Sequence, residues 1–185
     1  MKIDEIKREL RSMMNGVASA AMRNAGMTAD YRVNFGVELP RLQTLADEIR
    51  ASEADEALPA LAQSLWKESV RECRILATML YPHDRFDREL ATVWAADIRS
   101  VELAQIAALY LFSHIREASS QAFQWIASES EMLQILGYHT LMHIMRRAAL
   151  SERSVMELCD QASAARQSDN PQLRLAAQRV LERIK

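Results

Sequence analysis

Two histidines have the spacing in this sequence that most resembles a metal site. His139 and His143 lie four residues apart on one predicted helix, so that both imidazoles face the same side. The sequence offers no third ligand beside them and contains no HExxH pattern. We therefore interpret the pair as part of a partly exposed helix face, and we expect neither a metal nor a cofactor.

The two cysteines, Cys73 and Cys159, are far apart in sequence and form no CxxC pair. Isolated thiols favour a reducing compartment and argue against a disulfide framework or a cysteine zinc site. Both fall on apolar faces of predicted helices, so we expect inert core thiols. The sequence also lacks a phosphate-binding loop, a dinucleotide fingerprint and a nucleophile elbow.

Several arginines fall on helices that we predict to be the second member of each helix pair. If those helices line one face of the protein, the guanidinium groups can contact phosphate. The alternative is local: Arg71 would pair with a neighbouring acid, and cations at a helix C-terminus favour the helix dipole without any ligand. The DNA-binding candidates are Arg71, Arg74, Arg146, Arg147 and Arg174.

Helices must position all of these residues, because apolar side chains recur at three- and four-residue steps along most of the chain. Residues 27–39 lack this period and include Gly36, which predicts a loop. No segment has the pattern of a strand. The predicted helices cover residues 3–22, 40–50, 58–66, 68–81, 84–98, 101–114, 117–127, 129–148, 152–167 and 171–184.

A weak internal repeat links these helices. Four blocks share a long polar residue, two apolar residues and then Ala or Gly, a small residue that permits close helix packing. Helix pairs at such a period indicate a solenoid, although chance similarity among amphipathic helices is the alternative. We predict an all-α solenoid of helix pairs, forming a single domain over residues 1–185. The blocks begin at Arg74, Gln105, Gln134 and Arg174.

The composition agrees with a helical protein. Of 185 residues, 49% are hydrophobic and only 4 are Gly and 4 Pro, which argues against sandwiches, barrels and disorder. The net charge of −2, with no basic tail, argues against a general nucleic-acid coat. The first residues do not resemble a signal peptide, and no apolar run approaches the length of a membrane span. We therefore expect a cytoplasmic protein with no membrane partner.

Three stretches go beyond periodicity. They are residues 34–40 (NFGVELP), residues 65–72 (LWKESVRE) and residues 125–129 (WIASE). Their order and spacing resemble the bacterial DNA alkylation repair family, the AlkD-like DNA glycosylases built from HEAT-like repeats. The residues that carry this match, which we expect to be structural, are Gly36, Pro40, Trp66, Glu72 and Trp125.

The resemblance implies a right-handed α-solenoid of antiparallel HEAT-like or ARM-like helix pairs. It also implies that the stack is curved and that its concave face binds duplex DNA through its phosphates. It also implies release of positively charged alkylated purines such as 3-methyladenine. A cationic base is already a good leaving group, so the enzyme needs mainly a carboxylate beside the developing sugar cation and aromatic surfaces near the lesion.

The sequence departs from the family at those reacting positions. The position of the catalytic aspartate is Gln105, and that of a tryptophan is Val101. Glu102 is the nearest carboxylate and could replace the acid, although we favour the alternative that it is an exposed surface carboxylate. Gln134 stands where the family has an arginine that contacts phosphate, and Arg179 stands where a second aromatic is expected.

Three functions follow as alternatives. The first is a DNA-binding family member with an altered or absent glycosylase activity. The second is a HEAT-repeat scaffold that binds a protein partner, which a nearly neutral net charge also suits. The third is an active glycosylase that uses Glu102.

Overall fold

The computed structural model describes residues 2–28 and 30–184, so that Ala29 of the predicted loop 27–39 lies outside the described residues. Over these ranges the chain forms eleven α-helices and no strand, which confirms the all-α prediction. None of the described helices is long and apolar enough to cross a membrane. The helices are α1 Ile3–Ser12, α2 Gly16–Asn24, α3 Leu39–Ser52, α4 Leu58–Trp66, α5 Arg71–Leu80, α6 Arg88–Asp97, α7 Val101–Ala107, α8 Ala118–Ile126, α9 Glu131–Ile144, α10 Glu152–Ala165 and α11 Pro171–Ile184.

The helices pack into two compact units, Met1–Arg85 and Phe86–Lys185. In the first unit α5 packs against α3 and α4, and α1 packs against α4. In the second unit α7, α9 and α11 are the second helices of successive helix pairs. They lie side by side, with α9 in the middle. The prediction of one domain over residues 1–185 stays a prediction.

The first predicted helix, residues 3–22, is wrong as a continuous element. It breaks between Ser12 and Gly16 because Asn15 caps a new helix, its side-chain oxygen accepting a hydrogen bond of 3.0 Å from the Ala18 amide. The Asn15 amide donates to the Phe35 carbonyl at 2.9 Å, which fixes the break against the following loop. As a result Met14 and Val17 are exposed and do not continue the buried stripe of α1.

A buried carboxylate holds the loop before α3. Glu72 is 0% exposed and accepts hydrogen bonds from the amides of Phe35, Gly36 and Val37 at 3.2, 3.0 and 3.3 Å. The Arg71 guanidinium donates both to Glu72, at 3.0 Å, and to the Val37 carbonyl, at 3.2 Å. One ion pair therefore fixes the start of α5 to the loop.

Close helix contact in the second unit depends on a glycine. A Cβ atom at Gly137 of α9 would lie 2.7 Å from the Ala122 carbonyl oxygen of α8 and 2.7 Å from the Ile126 side chain. The small residue predicted at this repeat position thus allows the two helices to approach. Edge-to-face contacts between Phe86, Phe112 and the tryptophans Trp94 and Trp125 fill the adjoining core.

The predicted helix 101–114 contains a change of helix type. After Ala107 the chain forms a π-helical turn over Ala108–Phe112. This turn leads directly into His114, which is exposed. A π-helical turn changes the direction of the side chains that follow it, so it determines where His114 lies relative to α9.

Candidate nucleic-acid interface

The three neighbouring second helices of the second unit carry a connected set of polar side chains. We call this set the second-helix face. It draws on α7, on the end of the π-helical turn, on α9 and on α11. Its members are Gln105, His114, His139, His143, Arg146, Arg147 and Arg179.

His139 is the buried centre of this face. Its side chain is part of a residue only 6% exposed, and its Nε2 lies 3.4 Å from the Nε2 of Gln105. Burial, with further contributions from Arg179 and His143, lowers the pKa of His139 to about 4. The imidazole is therefore neutral at pH 7 and accepts a hydrogen bond from the Gln105 amide.

The turn that follows α9 adds two cations, Arg146 and Arg147. Burial, then Arg146 and Arg147, lowers the pKa of His143 to about 4. The Arg147 guanidinium lies 2.8 Å from both ring nitrogens of His114 and donates to the Ser113 carbonyl. Arg147 is therefore held in position before any ligand arrives, and both Arg146 and Arg147 are exposed.

The charged groups that lower the pKa of the two α9 histidines are arginines. Every charged or titratable group that shifts the pKa of His139 or His143 is an arginine or another histidine. Glu102 is half-buried in the first turn of α7. Gln105, which the resemblance places at the position of the family's acid, is an amide and carries no negative charge that could stabilise a sugar cation.

The other arginine candidates are placed differently. Arg71 is 2% exposed in the ion pair with Glu72, so it is not available to a ligand at the surface. Arg74 lies over the Trp66 ring, 5.3 Å from its centre. Arg174 is exposed, but its guanidinium donates to the carbonyls of Ser168 and Asp169. Of the five candidates, only Arg146 and Arg147 lie on the second-helix face.

The tryptophans and cysteines lie mainly in the core. Trp66 and Trp125 are 5% and 4% exposed and offer no surface on which a base could stack. Burial raises the pKa of the Cys73 thiol to about 12, and Cys159 is half-buried. Among the described residues, no group of three possible ligands is placed to hold a metal ion.

Our interpretation of the two histidines as a partly exposed face was wrong for His139, which lies inside. Sequence reasoning also missed His114 as a partner of Arg147. The available signal was compositional, since three of the four histidines in the chain belong to the second half of the sequence. Their convergence depends on the π-helical turn, which sequence periodicity does not show.

Comparison with known proteins agrees with this architecture. No curated protein matches the sequence. A solved structure, described as "a new family of proteins related to the HEAT-like repeat DNA glycosylases with affinity for branched DNA structures", superimposes with a TM-score of 0.85 at 15% identity. The match covers 100% of this chain and 76% of that chain, and it shows a shared HEAT-like fold. The model of the family described as "DNA alkylation repair enzyme" matches residues 6–181, so the chain belongs to the DNA alkylation repair enzyme family.

Proposed function

We propose that this protein binds the phosphate backbone of DNA through the second-helix face and does not excise alkylated bases by acid-assisted cleavage. The observation that carries the proposal is the environment of Gln105. The residue at the position that the resemblance gives to the family's acid is an amide, it bonds to a buried histidine whose pKa is about 4, and Arg179 also acts on that histidine.

The binding part of the proposal rests on charge that is already in position. In a protein whose net charge is −2, Arg146, Arg147 and Arg179 each act on one of the two neighbouring histidines of α9. Arg147 is fixed by His114 and by the Ser113 carbonyl, which lowers the entropic cost of holding a phosphate. All three tryptophans are buried, so the contacts would be to the backbone and not to stacked bases.

The structural relative described as having affinity for branched DNA supplies a second ligand to test. Backbone contacts read the spacing of phosphates and not the sequence of bases. A four-way junction presents phosphates from more than one arm, so we expect the face to bind a junction at least as tightly as a linear duplex.

The proposal is tested by measuring binding and base release in the same samples. The ligands are a plain duplex, the same duplex with one 7-methylguanine, and a four-way junction, each at two salt concentrations. We expect salt-sensitive binding to all three and no release of 7-methylguanine above the spontaneous rate. Release that disappears in Glu102→Gln would instead support the active glycosylase. Absence of binding at low salt would favour the protein-binding scaffold.

A further inference from the structure

The second unit contains a cavity that none of the residues of the second-helix face lines. It has a volume of about 500 Å³ and lies between one face of α9 and the last turn of α10, with Ile126 of α8 and Leu173 of α11 in its walls. The space is left open because α10 packs against α11 and not closely against α9. Small-molecule sites have volumes of roughly 300–1,000 Å³, so the cavity has the size of a ligand site.

A buried tyrosine reaches this cavity with its hydroxyl group. Tyr138 is only 1% exposed and lines the cavity. Its hydroxyl has no hydrogen-bond partner in the described part of the chain. The described polar side-chain atoms that are sealed from solvent without a partner are Ser113 Oγ and Gln121 Oε1, and the Tyr138 hydroxyl is not one of them. Its oxygen is therefore open to the cavity, and a partner for this buried polar group has to come from there.

Two other side chains on the same face of α9 are held so that they present oxygen atoms. Gln134 donates from Nε2 to the Ser128 carbonyl at 2.7 Å, which leaves Oε1 as the free end of its amide. The Glu131 carboxylate accepts hydrogen bonds from Ser168 Oγ at 3.1 Å and from Asn170 Nδ2 at 2.8 Å. Both side chains are fixed before a ligand arrives, and both still have lone pairs that can accept an N–H.

The lining carries negative charge and no cation. Glu129, which is exposed, adds a second carboxylate, and no lysine, arginine or histidine of the described chain lines the cavity. Arg174 donates to the carbonyls of Ser168 and Asp169 and is not a lining residue. The last turn of α10 also lines the cavity, and the C-terminal end of a helix favours positive charge.

The backbone amides that could attract an anion at the starts of α9 and α11 are already capped. Ser130 Oγ accepts a hydrogen bond of 3.4 Å from the Leu133 amide. Asn170 Oδ1 accepts hydrogen bonds of 2.9 and 3.3 Å from the amides of Gln172 and Leu173. A phosphate would therefore meet carboxylates and occupied amides, whereas a ligand that donates hydrogen bonds and carries positive charge fits the lining.

We propose that this cavity binds an organic cation, in which an ammonium or guanidinium group is carried on an apolar stem. Glu131 and Gln134 would accept hydrogen bonds from its N–H groups, and the Tyr138 oxygen would accept another. Ile126 and Leu173 offer apolar surface to the stem. A free small amine and a lysine or arginine side chain of another molecule share this chemistry. Cation binding in this cavity does not depend on DNA binding by the second-helix face.

The first experiment is titration calorimetry at neutral pH and low salt, with agmatine as the probe. Agmatine carries an ammonium and a guanidinium group at the two ends of a four-carbon chain, and we expect the wild type to bind it. Butanol, which has the stem without the charge, and inorganic phosphate should not bind. Arginine with both ends capped distinguishes the sources, because binding as tight as that of agmatine indicates a protein side chain, and weaker binding indicates a free amine.

Variants place the cation in the cavity. Tyr138→Phe keeps the ring and removes the hydroxyl, so the affinity for agmatine should fall roughly two- to tenfold, the effect of one hydrogen bond. Glu131→Gln removes the fixed charge and should lower the affinity by roughly tenfold or more. The matched controls Tyr110→Phe and Glu157→Gln make the same changes at positions of the second unit outside the cavity, and both should bind like the wild type.

Three results would overturn the proposed cation site. The first is that the wild type binds neither agmatine nor the capped arginine at millimolar concentration. The second is that butanol binds as tightly as agmatine. The third is that folded Tyr138→Phe binds the cation as tightly as Tyr110→Phe does. Circular dichroism verifies that each variant is folded, and Tyr138→Phe, the smaller change, decides the outcome if Glu131→Gln does not fold.

Discussion

At the scale of single residues, the clearest structural role belongs to Glu72. It is completely buried and joins three loop amides to Arg71. Replacing it by Gln removes the negative charge and leaves the Arg71 cation buried without its partner, so we expect Glu72→Gln to lower the free energy of unfolding by about 3–5 kcal/mol. Urea denaturation measures this difference.

The control is Glu68→Gln, which removes a partly exposed ion pair with Lys7 at 2.8 Å. Glu68→Gln should lower the free energy of unfolding by at most about 1 kcal/mol, because solvent-exposed ion pairs contribute little to stability. If the two variants lost the same free energy of unfolding, the Glu72 ion pair would contribute no more than an exposed one.

His139 gives a second prediction at this scale, on stability and pH. Its pKa is about 4 in the folded protein and about 6.5 in the unfolded chain, so the unfolded chain binds more protons between these values. The stability that depends on a neutral His139 is fully present above pH 6.5 and is lost as the pH falls towards 4. We expect a loss of about 2 kcal/mol in the wild type between pH 7 and pH 5 from this residue.

Urea denaturation at both pH values, with His139→Gln beside the wild type, isolates this contribution. The variant should show the smaller loss of stability on acidification. If both proteins lose the same amount, His139 does not titrate as a buried neutral imidazole.

The sequence anticipated some of these residue roles and not others. Arg71 next to Glu72 suggested a structural pair, because oppositely charged neighbours at a helix start often fix a junction. Nothing local could show that the carboxylate also binds amides 35 to 37 residues earlier in the chain. For His139, burial follows from the packing of α9 against α7, α8 and α11, which come together only in the folded unit.

At the scale of elements, the loop before α3 depends on Gly36. Its φ is +71°, and a Cβ there would lie 2.5 Å from the Ser19 amide nitrogen and would also clash with the Asn15 carbonyl oxygen. Both are backbone atoms that cannot rotate away, so Gly36→Ala should destabilise the protein by about 3 kcal/mol or more.

The matched control is Gly16→Ala in the first turn of α2. A Cβ at Gly16 meets nothing within 4 Å. Alanine also lowers the entropy of the unfolded chain, so this variant should be neutral or more stable by up to about 1 kcal/mol. Thermal unfolding of the two variants and the wild type measures the difference in stability. If Gly36→Ala were as stable as the wild type, the close contact between this loop and α2 would be contradicted.

Helix positions followed from the sequence because a 3.6-residue period depends only on which residues are apolar. The break between α1 and α2 did not follow, since Met13, Met14 and Val17 continue the apolar spacing across it. The break depends on the cap by Asn15 and on its bond to Phe35, a contact from a distant loop. The π-helical turn over Ala108–Phe112 was equally invisible to periodicity.

At the scale of the whole molecule, the family and the all-α fold were accessible from three short motifs and the helical period. The surface charge was not. A net charge of −2 suggests no affinity for DNA, yet Arg146 and Arg147, which follow α9, and Arg179 of α11 all act on the two histidines of α9. Such segregation arises only when helices separated in sequence are packed side by side, which overall composition cannot report.

The central claim is that the second-helix face binds DNA through phosphate contacts. The most direct test is the salt dependence of binding to a four-way junction by the wild type and by Arg146→Gln/Arg147→Gln. Each lost phosphate contact should reduce the slope of log K against log salt by about 0.9, so the variant should bind more weakly with a slope smaller by up to about 2. Arg153→Gln/Arg166→Gln, which removes two exposed arginines from α10 and its C-cap, is the matched control and should bind like the wild type. Unchanged affinity and slope in Arg146→Gln/Arg147→Gln would contradict the account.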